Sequence, residues 1–337
     1  MTVKTIGLLA GAEPALTEAL QARFEHAPSV RVRPFAVAGL YDGSVRRCDV
    51  VFDRLSGRIP SYRRVLARFA LDGGAVVNDP FASGRDDPTF ALAVARHLGF
   101  RCVPTVLLPQ RAYPSDLPSG ALAHLPYPLP WSEYLAYVGV PAVLVAVPRR
   151  DIVGAEGGAT RAVAVHDLET LWRAYDELGE RGAILRAAVP PGSTLVRAIC
   201  VDAHTSLMTS SSLASPGAAE EAGPPHGEFE GNAGMASQLV AAAQAIRTAL
   251  GLDVSATTFA WAPDGAKVVV EAADPTPRFD PAALGPRRWS GVVAGLADLL
   301  VRRAHGAGGA LRDRYPFGRA LRRRPPGEEV CPPPEGA

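Results

Sequence analysis

Apolar strands alternate with amphipathic helices through the first part of the chain, and this order constrains the fold more than any other feature of the sequence. Residues 3–9 predict a buried strand, residues 15–24 a helix and residues 30–37 a second strand. CDVVFDRL (48–55) predicts a third strand, and SYRRVLARFALDGG (61–74) predicts a helix that ends in glycines. Because strands alternating with helices form parallel crossovers, this stretch predicts a Rossmann-like sheet.

Two further structured units follow this N-terminal domain, which we place at residues 1–82. Residues 83–189 combine helices and short strands and predict a small α+β unit, whereas residues 190–305 predict an antiparallel-sheet unit with strands that follow one another directly. Within it, residues 212–234 are poor in large apolar side chains and rich in Gly, Pro and Ala, which predicts a mobile surface loop. Residues 306–337 lack the apolar content to fold alone and predict a flexible tail.

Composition and charge restrict the partners. The chain is 47% hydrophobic and 20% charged, with a net charge of +1, so we expect a globular protein with no global field to attract nucleic acid or an acidic membrane. We find neither a signal peptide at the first residues nor an uninterrupted apolar stretch of about 18 residues. The four cysteines lack C-x-x-C spacing, which predicts no zinc site and no disulfide framework and fits a cytoplasmic location.

Lysine is almost absent from the chain. Lys4 and Lys267 are the only lysines, and every other basic residue is an arginine. A GC-rich coding bias accounts for the overall Ala, Gly, Pro and Arg content. A site that needs the compact charge of lysine is not served by arginine in the same way, because the arginine guanidinium is a planar fork.

The stretch VVVEAADPTP (268–277) raises the question of why an apolar strand ends in two acids. In one interpretation, Asp274 and Pro275 only begin a turn, because Asp bonds its own backbone and Pro cannot donate to a strand ladder. In the other, the strand stops being regular after Glu271, so that two carboxylates that would lie on opposite faces converge on a hard cation such as Mg²⁺. The stretch by itself leaves both open.

The order of the elements resembles the ATP-grasp superfamily, close to its glutathione-synthetase-like and ribosomal-protein-glutamate-ligase-like members. The likeness spans roughly residues 1–304 and is more specific than any single motif. Four stretches carry it: DVVFDRLSGRIPSYRRVLARFALDGGAVVNDPFASGRDD (49–87), HLGFRCVPTVLLP (97–109), VGVPAVLVAV (138–147) and SATTFAWAPDGAKVVVEAADPTP (255–277).

The resemblance implies an α/β and α+β fold with a Rossmann-like N-terminal domain, a small central domain and a C-terminal antiparallel-sheet domain. It also implies two cofactors, ATP and Mg²⁺, with ATP between the sheets of the last two domains. In such proteins the γ-phosphate activates a substrate carboxylate as an acyl-phosphate, which an amine or thiol then attacks. This chemistry needs positive charge on the phosphates and an oxygen-bound metal.

Several positions depart from the pattern of the resembled family. The strand lysine that reaches the phosphates falls on Val145, and a second lysine falls on Pro88. Glu271 and Asp274 match the two closing metal ligands, but the third acidic ligand falls on Thr258. The acidic residue expected after the strand that ends near residue 186 is replaced by AAVPP (187–191). The resemblance therefore predicts a nucleotide site that has lost phosphate and metal contacts.

Arginines are the remaining candidates for contacts with a nucleotide or substrate. Arg197 matches an arginine that points into the cleft, where it would contact a phosphate or a substrate carboxylate; an exposed edge-strand arginine is the alternative. The other candidates are Arg149, Arg150, Arg161 and Arg186 for nucleotide, and Arg54, Arg58 and Tyr62 for an acceptor pocket.

Three functions therefore remain open. The first is a degenerate ATP-grasp homologue, non-catalytic or weakly catalytic, that binds a ligand, a peptide or a partner protein. The second is an active ATP- and Mg²⁺-dependent carboxylate-amine ligase, acting on a small-molecule or peptide carboxylate, in which arginines replace the usual lysines. The third is a scaffold subunit that acts through the loop and the tail.

Overall fold

The computed structural model contains three four-stranded sheets and seven described helices that pack on them. None of the described helices combines the length and the hydrophobicity that a membrane span needs. The structure describes residues 3–11, 13–37, 48–57, 59–82, 87–113, 115–118, 120–125, 128–146, 162–179, 181–190, 192–210, 229, 233–262, 264–306 and 315.

The first sheet is parallel, with the strand order β2-β1-β3-β4. Its elements are β1 (Lys4–Leu9), α1 (Pro14–Phe24), β2 (Val30–Pro34), β3 (Val50–Asp53), α2 (Pro60–Leu71) and β4 (Ala75–Val77). Both helices have proline in their first turn, where its missing N–H has no helical partner to lose. The Rossmann-like arrangement predicted from the alternation is confirmed for this part of the chain.

The second sheet is antiparallel and has the order β5-β8-β6-β7. Its elements are β5 (Thr105–Leu108), α4 (Trp131–Val138), β6 (Ala142–Ala146), β7 (Ala162–Val165), α5 (Leu168–Asp176) and β8 (Ala183–Ala187). Leu108, Leu144 and Leu185 point from one face of the sheet into a core that contains Leu171 of α5. The two helices therefore cover one face of this sheet, and the opposite face carries the alternate residues of each strand.

The third sheet is also antiparallel, in the order β10-β9-β11-β12. Its elements are β9 (Thr194–Val201), β10 (His204–Ser210), α6 (Ala233–Ala249), β11 (Val254–Trp261) and β12 (Lys267–Asp274). Helix α3 (Pro88–His97) packs with α6 on one face, where Ala91 and Leu92 meet Val196 and Ala198. Helix α3, which lies in the range predicted for the central domain (83–189), thus packs on the C-terminal sheet.

Helix α7 (Pro281–Ala304) joins the third sheet to the first. Its apolar face, which includes Leu296 and Leu300, shares one buried core with Ile6 and Phe52 of the first sheet and with Ile199 of the third. The helix is interrupted at Gly285, whose positive φ of 70° suits glycine, directly before Pro286. One continuous core therefore fixes the N-terminal sheet against the C-terminal sheet.

The predicted fold class is confirmed, since α/β and antiparallel α+β parts follow in the expected order. Strand β7 was not predicted from the sequence. Trp131, Tyr134 and Tyr137 recur at helical spacing, which predicts core residues, and all three lie on α4. Trp131 and Tyr134 pack against the central core, whereas Tyr137 is 60% exposed.

Candidate functional site

Three side chains form a row across the middle of the C-terminal sheet. Arg197 on β9 lies directly opposite Thr258 on β11, and Thr258 lies directly opposite Glu271 on β12. Directly paired residues on neighbouring strands point to the same face. Because Val196 and Ala198 point toward α3 and α6, the row occupies the face turned away from these two helices.

A β-bulge brings Asp274 into the same group. On β12, the three steps from Glu271 to Asp274 match only two steps on β11, from Thr258 to Ala256, so one extra residue is inserted in β12. In a regular strand, residues three apart point to opposite faces, and the insertion cancels this alternation. The irregularity inferred after Glu271 is therefore present, and both carboxylates reach the same group.

The Arg197 guanidinium occupies the centre of this group. Its Nη1 donates to Glu271 Oε2 at 2.8 Å and to Thr258 Oγ1 at 3.0 Å, and its Nη2 donates to Asp274 Oδ2 at 2.5 Å. Thr258 Oγ1 in turn donates to Glu271 Oε2 at 3.0 Å. The Arg197 side chain is 22% exposed. It is an interior cation bound to two acids rather than an exposed edge-strand arginine.

The electrostatic balance of the group follows from burial and from charge. Burial alone would lower the pKa of the Arg197 guanidinium, but the charges of Glu271 and Asp274 outweigh it and raise that pKa. Burial raises the pKa of the Asp274 carboxyl above its usual value, although the Arg197 charge opposes this. The positive charge of Arg54 opposes this rise as well, which places Arg54 within electrostatic reach of the group.

The donor set does not fit a magnesium ion as it is arranged here. Mg²⁺ needs oxygen ligands in near-octahedral geometry. Glu271 Oε2 and Asp274 Oδ2 already accept from Arg197, and Asp274 Oδ1 accepts from the Thr276 backbone N–H at 2.9 Å. Among the residues that the structure describes, no group of three His, Cys, Asp or Glu side chains could hold a metal ion. A divalent cation at these two acids would also lie beside a fixed guanidinium.

Neither lysine of the chain serves this group. Lys4 Nζ lies 3.3 Å from Asp49 Oδ1 on the N-terminal sheet. Lys267 Nζ lies 5.1 Å from the centre of the Trp261 ring, at the far end of β12. Lys267 and Glu271 are four residue steps apart along an extended strand, a distance of about 13 Å.

The two positions where lysine was expected carry no charge, and their local structure explains the residues found there. Val145 is 8% exposed in β6 and pairs with Ile184 of β8. Pro88 is the first residue of α3, and Asp87 caps this helix by accepting from the Thr89 and Phe90 backbone N–H groups. Proline suits this first position, so Pro88 serves the start of the helix.

Arg186 is the described nucleotide candidate on the central sheet. It pairs with Val143 of β6, and Val145 pairs with Ile184, so all four residues share the face opposite α4 and α5. One guanidinium therefore stands on the face that carries Val145. The other nucleotide candidates, Arg149, Arg150 and Arg161, lie outside the described residues.

Arg54, a predicted acceptor-pocket residue, is held by a buried network. Its Nε and Nη2 donate to the two carboxylate oxygens of Glu13 at 2.7 and 2.9 Å, and Nη2 also donates to the Pro277 carbonyl at 2.6 Å. The Phe279 ring centre lies 4.8 Å from its Cζ. Tyr62 packs against the apolar core around Leu66, and Arg58 lies outside the described residues. The pocket stays a prediction.

Asn78, at the end of β4, was not predicted from the sequence as a site residue. Its Nδ2 donates to the carbonyls of Val254 and Pro275, both at 2.8 Å, and its Oδ1 accepts from the backbone N–H groups of Asp253 and Val254. It thereby fixes the segment that follows Asp274 to the N-terminal sheet. The only sequence signal was a polar residue directly after the apolar strand AVV.

Comparisons with known proteins place this architecture among solved ligase structures. No protein-family model matches the sequence, and no curated protein matches it significantly. The RimK domain protein ATP-grasp from Sphaerobacter thermophilus is 19% identical, with a TM-score of 0.59 over 88% of this chain and 99% of that chain. VanG D-Ala:D-Ser ligase from Enterococcus faecalis is 16% identical, with a TM-score of 0.59 over 90% and 100%.

A third structure of the same architecture has a peptide bound. Macrocyclase MdnC from Microcystis aeruginosa, bound with precursor peptide MdnA, is 16% identical to this chain, with a TM-score of 0.54 over 88% of this chain and 99% of that chain. At these identities the likeness establishes the fold alone.

Proposed function

We propose that this chain, which has the ATP-grasp fold, is a ligand- or partner-binding protein that does not carry out phosphoryl transfer. One observation carries the proposal: neither lysine of the chain lies at the site where the fold would hold a triphosphate. Both lysines are engaged elsewhere, and the strand position that resembles the family's phosphate lysine is the buried Val145.

The size of the expected loss supports the absence of turnover. Phosphoryl transfer depends almost entirely on positioning and on cations that neutralise the transferred group. Removing a single preorganised donor to developing charge costs about 10²- to 10³-fold in rate. The loss of a phosphate lysine and of a metal carboxylate at Thr258 therefore leaves little rate acceleration. The fold tolerates the change, because a buried valine has no desolvation cost of the kind a buried lysine has.

The solved neighbours support a carboxylate ligand or a peptide as what is bound. One of them, the macrocyclase MdnC, has its precursor peptide bound, and its fold spans 88% of this chain. ATP and Mg²⁺ are the cofactors of the resembled lineage, and neither is needed for binding alone. The lineage is that of carboxylate-amine ligases, and we propose that this member has kept the scaffold without the chemistry.

Phosphate release tests the proposal. The full-length chain is incubated with ATP and Mg²⁺, with and without a panel of amino-acid and peptide carboxylates, and inorganic phosphate is measured. We expect release at the buffer level with every member of the panel. Carboxylate-dependent release well above that level would refute the proposal.

A lysine restored at the central sheet provides the matched comparison. Val145→Lys returns a charge to the strand, and Leu107→Lys places one in the same row of the same face, at the exposed edge strand β5. A charge-assisted hydrogen bond contributes about 1.5–3 kcal/mol, so Val145→Lys should tighten ATP binding about tenfold or more and give saturable binding at millimolar ATP, where wild type should give none. Leu107→Lys should leave it unchanged. Equal effects of the two variants would show that cation shortage at Val145 is not the cause.

An active ligase is the second candidate, favoured by the position of Arg186. This guanidinium shares a face with Val145, and arginine binds phosphate with two parallel hydrogen bonds. If the ligase is active through this residue, Arg186→Ala abolishes phosphate release and Arg186→Lys preserves part of it. If the chain only binds, neither substitution changes the buffer-level signal.

A further inference from the structure

We propose that the Arg197 guanidinium is the resident cation of the acidic group on the C-terminal sheet, in place of a divalent metal ion. The inference deepens the proposed function, on which it rests, because it assigns the two surviving acids a role that needs neither nucleotide nor metal. It concerns Glu271, Asp274 and Thr258 together with Arg197.

The geometry points to the guanidinium as the group that holds the two acids together. Arg197 reaches Glu271 with one terminal nitrogen and Asp274 with the other, so the two carboxylates are bridged by a single planar cation. A metal ion between the same acids would need those oxygen lone pairs. Arg197 is attached to β9, two strands from β12, and is therefore present at a fixed position without any dependence on metal concentration.

Thr258 completes the surroundings of a guanidinium rather than those of a metal. Its hydroxyl accepts from Arg197 Nη1 and donates to Glu271 Oε2, so the hydroxyl acts both as an acceptor and as a donor. An acid at this position would add a third negative charge for one guanidinium to neutralise, whereas threonine adds none. Threonine at this position therefore suits a group in which one guanidinium faces two carboxylates.

Repulsion between like charges favours the same conclusion. Two carboxylates and one guanidinium leave one net negative charge in a partly buried group. A divalent cation added here would reverse that net charge and would lie beside the like charge of the fixed Arg197 guanidinium, at a place where water screens charges less than in bulk solvent. Glu271 is 39% exposed, so this remaining charge faces solvent.

Arg197 also connects three strands of the C-terminal sheet through its side chain. The bulge after Glu271 turns Asp274 back toward β9, and the guanidinium links β9, β11 and β12 through side chains alone. The chelator EDTA should therefore leave the melting temperature of the purified chain unchanged.

Metal binding without nucleotide tests the inference. Mn²⁺ is titrated into the full-length chain and followed by electron paramagnetic resonance of the free ion. Wild type, Glu271→Gln and Asp274→Asn should bind it equally weakly. The double variant Arg197→Met with Thr258→Glu should bind Mn²⁺ at least tenfold more tightly than wild type, and adding Glu271→Gln should remove the gain.

A matched control separates the role of this arginine from a general effect of charge. Arg111 pairs with Asp176 at the surface, with side chains 56% and 65% exposed, and Arg111→Met removes the same charge without opening the acidic group. It should leave Mn²⁺ binding at the wild-type level.

Two outcomes would overturn the inference. The first is saturable Mn²⁺ binding by wild type that Glu271→Gln abolishes. The second is a folded double variant, judged by circular dichroism, that gains no affinity. If the double variant does not fold, the comparison of wild type with Glu271→Gln and Asp274→Asn decides alone. Phosphate release without Mn²⁺ binding would refute the proposed function only, and Mn²⁺ binding without phosphate release would refute this inference only.

Discussion

Asn78 connects the N-terminal sheet to the C-terminal sheet, and its removal should destabilise the chain strongly. The side chain is 5% exposed and makes four hydrogen bonds, all to backbone groups of residues 253, 254 and 275. Asn78→Ala removes the four bonds and leaves two N–H groups and two carbonyls without this partner in the interior. At about 0.5–1.5 kcal/mol for each bond, the loss is roughly 2–6 kcal/mol, and the burial of the orphaned groups favours the upper half.

Urea unfolding followed by far-UV circular dichroism measures this loss. Asn78→Asp keeps the size and the acceptor but cannot donate to the two carbonyls, so it should cost at least as much as the loss of two bonds. Arg111→Ala breaks an exposed ion pair and should cost under about 1 kcal/mol. A loss under about 1 kcal/mol for Asn78→Ala, with an unchanged slope of the transition, would refute the reasoning.

Three further predictions concern single side chains. Asp87→Ala removes the cap of α3 and should cost about 1 kcal/mol in urea unfolding, and Asp87→Asn, which still caps, should cost less. Arg54→Met leaves the Glu13 carboxylate buried without its cation and should cost about 3–5 kcal/mol; a loss below that of Arg111→Ala would contradict a buried pair. Hydrogen bonds from Thr170 lower the pKa of Asp167, so its stabilising contribution is complete above its unfolded pKa and is lost as pH falls through the lower folded value. Asp167→Asn should flatten the melting temperature in this acidic range, and an unchanged profile would contradict it.

The sequence was sufficient for the fold because the order of strands and helices is a local property. The periodicity at residues 61–74 predicted α2 close to its observed range. Strand β7 was missed because AVAV has too few residues to show alternation, so it is defined by its pairing with β6 rather than by its own pattern.

The site was harder to predict from the sequence, because it depends on hydrogen bonds between residues that are far apart in the chain. Glu271 and Asp274 could be nominated from one strand, and the bulge that joins them could be anticipated from the proline behind it. The two bonds from Arg197 to these acids join residues that are 74 and 77 positions apart, and no local sequence pattern predicts them. The same holds for Glu13, which bonds Arg54 across 41 positions.

Calorimetric titration of the full-length chain with ATP and Mg²⁺ measures whether the cleft binds a triphosphate. Neither lysine of the chain lies at the cleft, and Glu271 and Asp274 already accept hydrogen bonds from Arg197. We therefore expect no saturable heat up to millimolar ATP, with or without Mg²⁺. Micromolar binding that requires Mg²⁺ and is abolished by Glu271→Ala and by Asp274→Ala would contradict it.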